Sequence, residues 1–257
     1  MTDINSFIVY GHTGVGKTFV TAQVMSNALW LVTRKSNLGG YHTWLRANPE
    51  EAAARGLKPI ESVVQIPRLM PNENGELQPT DVRELIKQIV TEYVRKAIKG
   101  ETKVHGIVFD ELSVIASWVY DGIKAKERNG FAVISAIKSW MSELCEISAV
   151  TNLPMAFVCH SKDPAYWEEG SKRGTLKYKG GPAMPVGTMI AQVCALPDAV
   201  LQVDVEPSGL DTVRRVIRTE AHPHWERKVR VWGVDPVIEP DLRPLLTKAG
   251  WNFPTAA

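Results

Sequence analysis

Gly11-His12-Thr13-Gly14-Val15-Gly16-Lys17-Thr18 is the stretch that decides how this chain folds. It matches the pattern G-x-x-x-x-G-K-[ST] at every fixed position. Just upstream, Ser6 to Tyr10 is a short apolar run that reads as a buried strand. Just downstream, Lys17 to Asn27 reads as a helix. Placed between a strand and a helix, these residues suit an anion. Gly11, Gly14 and Gly16 permit backbone conformations that aim successive N–H groups at one point. The helix adds the positive end of its dipole. The Lys17 ammonium is suited to β- and γ-phosphates and the Thr18 hydroxyl to Mg²⁺. Residues Gly11, His12, Thr13, Gly14, Val15, Gly16, Lys17 and Thr18 are therefore the expected phosphate loop.

Roughly 90 residues further on, Val104 to Phe109 forms a second apolar strand that ends in Asp110-Glu111. A strand end beside a phosphate loop is where a carboxylate is needed to help hold Mg²⁺, and Asp110 suits that role. Glu111 is then placed to polarise an attacking water as general base. In RecA-like domains the catalytic glutamate often lies on a neighbouring strand, so Glu61, before the strand Ser62 to Ile66, is a second candidate base. Between the acidic pair and His160 the pattern predicts one helix, Phe131 to Ser148, and one strand, Leu153 to Cys159. His160 then ends that strand as a candidate γ-phosphate sensor, with Ser161 beside it. No guanine-specific Asn/Thr-Lys-x-Asp pattern is present, which favours ATP.

The rest of the 257 residues reads as alternating strands and helices, the pattern of a mostly parallel sheet between helices. One domain over 1–257 is expected. Residues 34–61 read as irregular with a short helix near Pro49 to Ala54, and a helix follows Thr80 and stops at Gly100. Residues 161–187 read as a long loop, and a loop of that length is usually functional. Met189 to Ala195 reads as a helix. Ala199 to Val205 and Val213 to Thr219 read as a hairpin around Pro207-Ser208-Gly209, with a last helix from Leu242 to Ala249. Thirty basic residues against 28 acidic ones exclude a global polyanion-binding charge, so any such surface is local. Cys145, Cys159 and Cys194 lack metal-like spacing and are expected to be reduced thiols in an intracellular, cytoplasmic protein. The N-terminus does not read as a signal peptide, and no apolar run approaches about 20 residues.

Within the loop, Lys172, Arg173, Lys177 and Lys179 surround Tyr178 without an acid. Cations neutralise phosphates and an aromatic face stacks on a base, so these five are the candidate DNA-binding residues, with Trp167 upstream and Glu168 and Glu169 diluting the charge. Lys124, Lys126 and Arg128 form a smaller basic group. Arg227 and Lys228, with Arg230, are candidates for a cation reaching a neighbouring subunit's γ-phosphate. Arg214, Arg215 and Arg218 read as strand-face charges.

This constellation resembles the RecA-core ATPases of bacteriophages, including the phage recombination and single-strand annealing proteins. The specific motifs are Gly11 to Thr18 and Val104 to Glu111; the segment Gly180 to Pro185 adds to the likeness, and residues 34–80 match nothing recognisable. The resemblance implies a RecA-like α/β fold with a C-terminal β-hairpin, ATP hydrolysis with Mg²⁺, and a homo-oligomeric ring or filament on single-stranded DNA. The motifs are also compatible with a DNA-packaging or helicase-type motor, or with a nucleotide-gated interaction protein of little turnover.

Overall fold

The computed structural model describes residues 4–127, 129–168, 172–209 and 212–252. Arg128 and Glu169 lie outside the described residues. The first strand, β1 (Ser6–Gly11), leads through the phosphate loop into helix α1 (Lys17–Met25). Then come β2 (Leu29–Val32), α2 (Gly39–Ala47), α3 (Pro49–Ala54), β3 (Val63–Gln65) and a small hairpin of β4 (Leu69–Pro71) and β5 (Leu77–Pro79). Helix α4 (Val82–Ile98), strand β6 (Ile107–Asp110) and helices α5 (Leu112–Lys126) and α6 (Gly130–Thr151) lead to β7 (Met155–Lys162). After β7 come β8 (Ala165–Tyr166), β9 (Leu176–Tyr178), β10 (Gly181–Pro182) and α7 (Met189–Cys194). The chain closes with β11 (Ala199–Pro207), β12 (Val213–Arg218), β13 (Lys228–Val229), β14 (Val237–Ile238) and α8 (Arg243–Lys248).

The main sheet runs in the order β14-β12-β11-β1-β7-β6-β2-β3. Strands β11, β1, β7, β6, β2 and β3 are mutually parallel, and β12, β14, β13 and β10 join antiparallel. Strand β7 is thus inserted between the phosphate-loop strand and the acidic strand. Among the parallel strands the order is that of a RecA-like fold, as expected, and β11–β12 is the expected C-terminal hairpin.

Alternation along β1 sends Ile8 and Tyr10 to one face and Phe7 and Val9 to the other, all fully buried. Each such side chain contributes about 1.5–3 kcal/mol by leaving water. Helices α4 to α7 cover the first face, through residues such as Ile86, Ile115, Trp140 and Ile190. Helices α1, α2 and α8 cover the second, through Val20, Tyr41 and Leu246. Parallel strands buried on both faces need continuous apolar runs, which is why the sequence signal is strong there.

Three sequence expectations need correction. Two helices, not one, separate Glu111 from β7. The additional one is α5, whose Leu112, Ile115, Ala116 and Val119 recur at helical spacing and are buried. Residues 34–61 hold α2 as well as α3. The segment 161–187 is not one long loop, because β7 runs on to Lys162 and β8, β9 and β10 follow. His160 therefore lies two residues inside its strand.

Gly11 is where the sheet tolerates no side chain. A Cβ there would lie 2.3 Å from the Val203 carbonyl oxygen of β11, a backbone atom that cannot turn aside. Gly11→Ala is expected to destabilise the fold by about 1–3 kcal/mol through overpacking. Denaturant unfolding checks this, and an unchanged midpoint would contradict it.

Candidate functional site

Parallel strands end at one edge of the sheet, and the ends of β1, β7 and β6 meet there. Gly11 lies directly opposite His160 on β7, and Asp110 lies opposite Val158. Residues far apart in the chain thus become neighbours by register, as α/β sheets place ligands outside the carboxyl ends of their strands.

The loop geometry follows from its glycines. Gly14 and Gly16 have φ of 82° and 94°, values that an L side chain resists. Gly16 caps α1 without a side-chain cap, so the first N–H groups of the helix stay directed outward. Lys17 is 8% exposed, and its Nζ donates to the His12 carbonyl at 2.8 Å. Burial lowers the Lys17 pKa, and Asp110, Cys159 and Glu111 oppose that fall.

Asp110 is 1% exposed and accepts the Thr18 hydroxyl at 3.1 Å on Oδ2. Burial pushes its carboxyl up to about 7; the Thr18 bond and Lys17 lower it, while Glu111 raises it further. Hydroxyl and carboxylate oxygens are the donors a hard divalent ion takes, so Thr18 and Asp110 fit Mg²⁺.

Glu111 follows, and its Oε1 lies 2.8 Å from His160 Nε2. The His160 backbone is fixed from both sides. Its N–H donates to Ser113 Oγ at the start of α5, and its carbonyl accepts the Ala183 N–H beside β10. Ser161 Oγ lies 3.1 Å from His12 Nδ1, so β7 also touches the phosphate loop. Glu61, the alternative base, is exposed ahead of β3, at the end of the sheet away from the loop. Geometry therefore separates the two carboxylates and leaves Glu111 at the site.

These residues line a cavity of about 600 Å³, in the range of small-molecule sites. From Lys17, Thr18, Asp110, Glu111 and His160 it continues along α1 to a wall of aromatic side chains. Phe19 meets Trp44 edge-on at 4.9 Å and Tyr41 at 5.6 Å between ring centroids. Gln23, 8% exposed and with no partner for its Oε1 among the described residues, lies on the same wall. No local pattern announces this wall, because aromatics on α1 and α2 look like core until the two helices are packed.

Arg215 departs from the expected strand-face charge. Alternation on β12 puts Arg214 and Arg218 on one face and Arg215 on the other. Arg214 pairs with Glu206 at 2.7 Å, and Arg218 with Asp204 and Glu206. Arg215 instead lines the cavity, its Cδ and Nε 3.5 Å from where a Gly16 Cβ would sit. Strand period alone is enough to separate it from its neighbours.

Arg227 and Lys228 are not placed as a reaching cation requires. The Arg227 side chain is 5% exposed and lies 3.8 Å from Glu220. Lys228 Nζ donates to the Ala195 carbonyl at 2.9 Å. Lys228 sits where β13 pairs with the first residues of β11, and Arg227, just before it, faces Tyr10.

The expected DNA-binding residues divide. Lys172 and Lys177 stand over Trp167 at 5.4 and 4.8 Å from its ring centroid, and Trp167 and Arg173 are exposed. Tyr178 is half-buried, with Lys162 over its ring at 5.4 Å and Gly187 pressed against it. Lys179 lies 3.9 Å from Glu226. The exposed aromatics of the β8–β9 hairpin are therefore Tyr166 and Trp167 rather than Tyr178.

The three cysteines are free, and burial raises Cys145 to about 11 and Cys159 to about 12, so both stay uncharged thiols. No helix among the described residues is long and apolar enough to cross a membrane.

No protein-family model matches this chain, and no curated protein matches it. Among solved structures, it is similar to the crystal structure of a KaiC-like protein from the hyperthermophilic archaeon Pyrococcus horikoshii OT3. The TM-score is 0.43, with 14% identity over 89% of this chain and 83% of that one. At this identity the chemistry has to be read from the site itself.

Proposed function

We propose that this chain is a Mg²⁺-dependent ATPase whose turnover is coupled to single-stranded DNA. The observation that carries the first part is the meeting of Lys17, Thr18, Asp110, Glu111 and His160 at three adjacent strand ends around one cavity. The loop N–H groups and Lys17 bind the β- and γ-phosphates. Thr18 and Asp110 would hold Mg²⁺, which would supply charge neutralisation on the phosphate oxygens. Glu111 orients the attacking water and draws its proton. His160, 2.8 Å from Glu111, holds that carboxylate in place and is suited to register loss of the γ-phosphate. The aromatic wall suits a purine, and the missing guanine pattern favours adenine.

The coupling to DNA is supported by continuity. Two residues beyond His160, β7 leads toward the β8–β9 hairpin, which exposes Trp167 with Lys172, Arg173 and Lys177. An aromatic face among cations is the usual means of holding a single strand. The proposed setting is phage recombination or annealing in the cytoplasm of a host cell, with a homo-oligomer forming on the strand.

The test is the ATPase rate with and without single- or double-stranded DNA, alongside mass in solution. Single-stranded DNA is expected to raise the rate. In the triple variant Lys172→Ala, Arg173→Ala, Lys177→Ala, the ratio of stimulated to unstimulated rate is expected to fall to one. Loss of three phosphate contacts should also flatten the log–log salt dependence of DNA binding by about 2. Unchanged stimulation would reject the hairpin. Translocation on duplex DNA would indicate a motor instead, and slow hydrolysis that no nucleic acid alters would indicate a nucleotide-gated interaction protein.

A further inference from the structure

The β11–β12 hairpin projects beyond the sheet edge where the phosphate loop lies. Val203, on β11, touches the loop at Gly11 through its backbone. Two positions along the strand from Ile217, the partner of Val203, β12 has left the core and its side chains are exposed. The face that carries Val203 and Ile217 inward carries Arg215 outward over Gly16. The two other arginines of β12 are held by carboxylates on the opposite face, whereas the Arg215 guanidinium makes no hydrogen bond or ion pair among the described residues. An uncompensated guanidinium standing over outward-directed N–H groups is arranged for an anion with several oxygens.

We propose that Arg215 is a catalytic cation acting in cis: the hairpin of the same subunit lays its guanidinium over the phosphate loop, where it binds oxygens of the nucleotide's triphosphate. The inference rests on the ATPase reading above. It also replaces the need for a cation from a neighbouring subunit, the role for which Arg227 and Lys228 are poorly placed. A donor fixed beside developing phosphate charge lowers the barrier without reorganising.

The test is a set of variants and one mixing experiment. Arg215→Ala is expected to lower kcat about 10²-fold, the scale of losing one such donor. It should also weaken binding of a fluorescent ATP analogue roughly tenfold, as loss of a charge-assisted contact does. Arg215→Lys should recover part of kcat, and Arg214→Ala, on the other face, should stay within about twofold of wild type. Mixing Lys17→Ala subunits with Arg215→Ala subunits separates cis from trans. In cis no site in the mixture is complete and activity stays low. If Arg215 served a neighbour, mixed oligomers would regain turnover, and that result would overturn the proposal. Wild-type kcat in Arg215→Ala would overturn it as well. Should the wild-type chain bind the analogue without hydrolysing ATP, the ATPase reading fails, and the affinity of Arg215→Ala decides this inference: a tenfold loss upholds the contact and no loss removes it.

Discussion

Lys17→Ala is expected to reduce ATP hydrolysis at least about 10³-fold. Lys17 is nearly buried and already fixed by the His12 carbonyl at 2.8 Å, so its ammonium is positioned before nucleotide arrives. It faces Asp110 and Glu111, two carboxylates that a bound triphosphate would join with further negative charge. Alanine removes the buried ammonium from that cluster and leaves like charges facing one another at low dielectric. Nucleotide affinity should fall together with kcat, because the lysine meets the phosphates in both the ground and the transition state. Phosphate release at saturating Mg-ATP checks the rate, and thermal melting checks that the variant folds. Full activity would take Lys17 out of the chemistry and end the ATPase reading.

Glu111→Gln should separate binding from chemistry. The amide keeps the shape of the side chain and can still hydrogen-bond His160, but it cannot take a proton. A general base contributes about 10²–10⁴-fold, so kcat should drop by that order while the ATP analogue still binds. The variant should therefore accumulate with ATP unhydrolysed, which single-turnover measurements would show directly. The Glu61→Gln variant, altered at the far end of the sheet, should hydrolyse ATP like the wild type. A normal rate in Glu111→Gln would require another group to activate the water.

The parts of this molecule that are legible in the sequence are those in which a local pattern carries the physics. Gly11 to Thr18 specifies its own backbone, and the buried parallel strands need unbroken apolar runs. Asp110 and His160 can be placed because β6 and β7 end close to them, although β7 continues two residues past His160. What the sequence conceals depends on packing between distant segments. Phe19, Tyr41 and Trp44 form one wall only when α1 and α2 come together. Tyr178 is free for stacking as far as its neighbours in the chain show, yet Gly187 and Lys162 cover it. Arg227 resembles a surface charge because nothing nearby in the chain announces the Glu220 and Tyr10 environment that receives it. Two other features are open to a purely local reading: the helical spacing of α5 and the two-residue period of β12 are both present in the order of residues.

Strand β10 has a consequence for how this architecture can diversify. It pairs Gly181 with Lys162 and Pro182 with Ser161, so the chain leaves the sheet and returns to it at the same rung. The excursion between those anchors is closed by the sheet itself. Doubling the length of a flexible closed segment costs only about 0.6 kcal/mol. Its content can therefore be lengthened, recharged or exchanged while Gly11, Asp110 and His160 keep their register. The sheet edge that carries Gly11, Asp110 and His160 and the exposed hairpin can follow separate evolutionary histories on one scaffold.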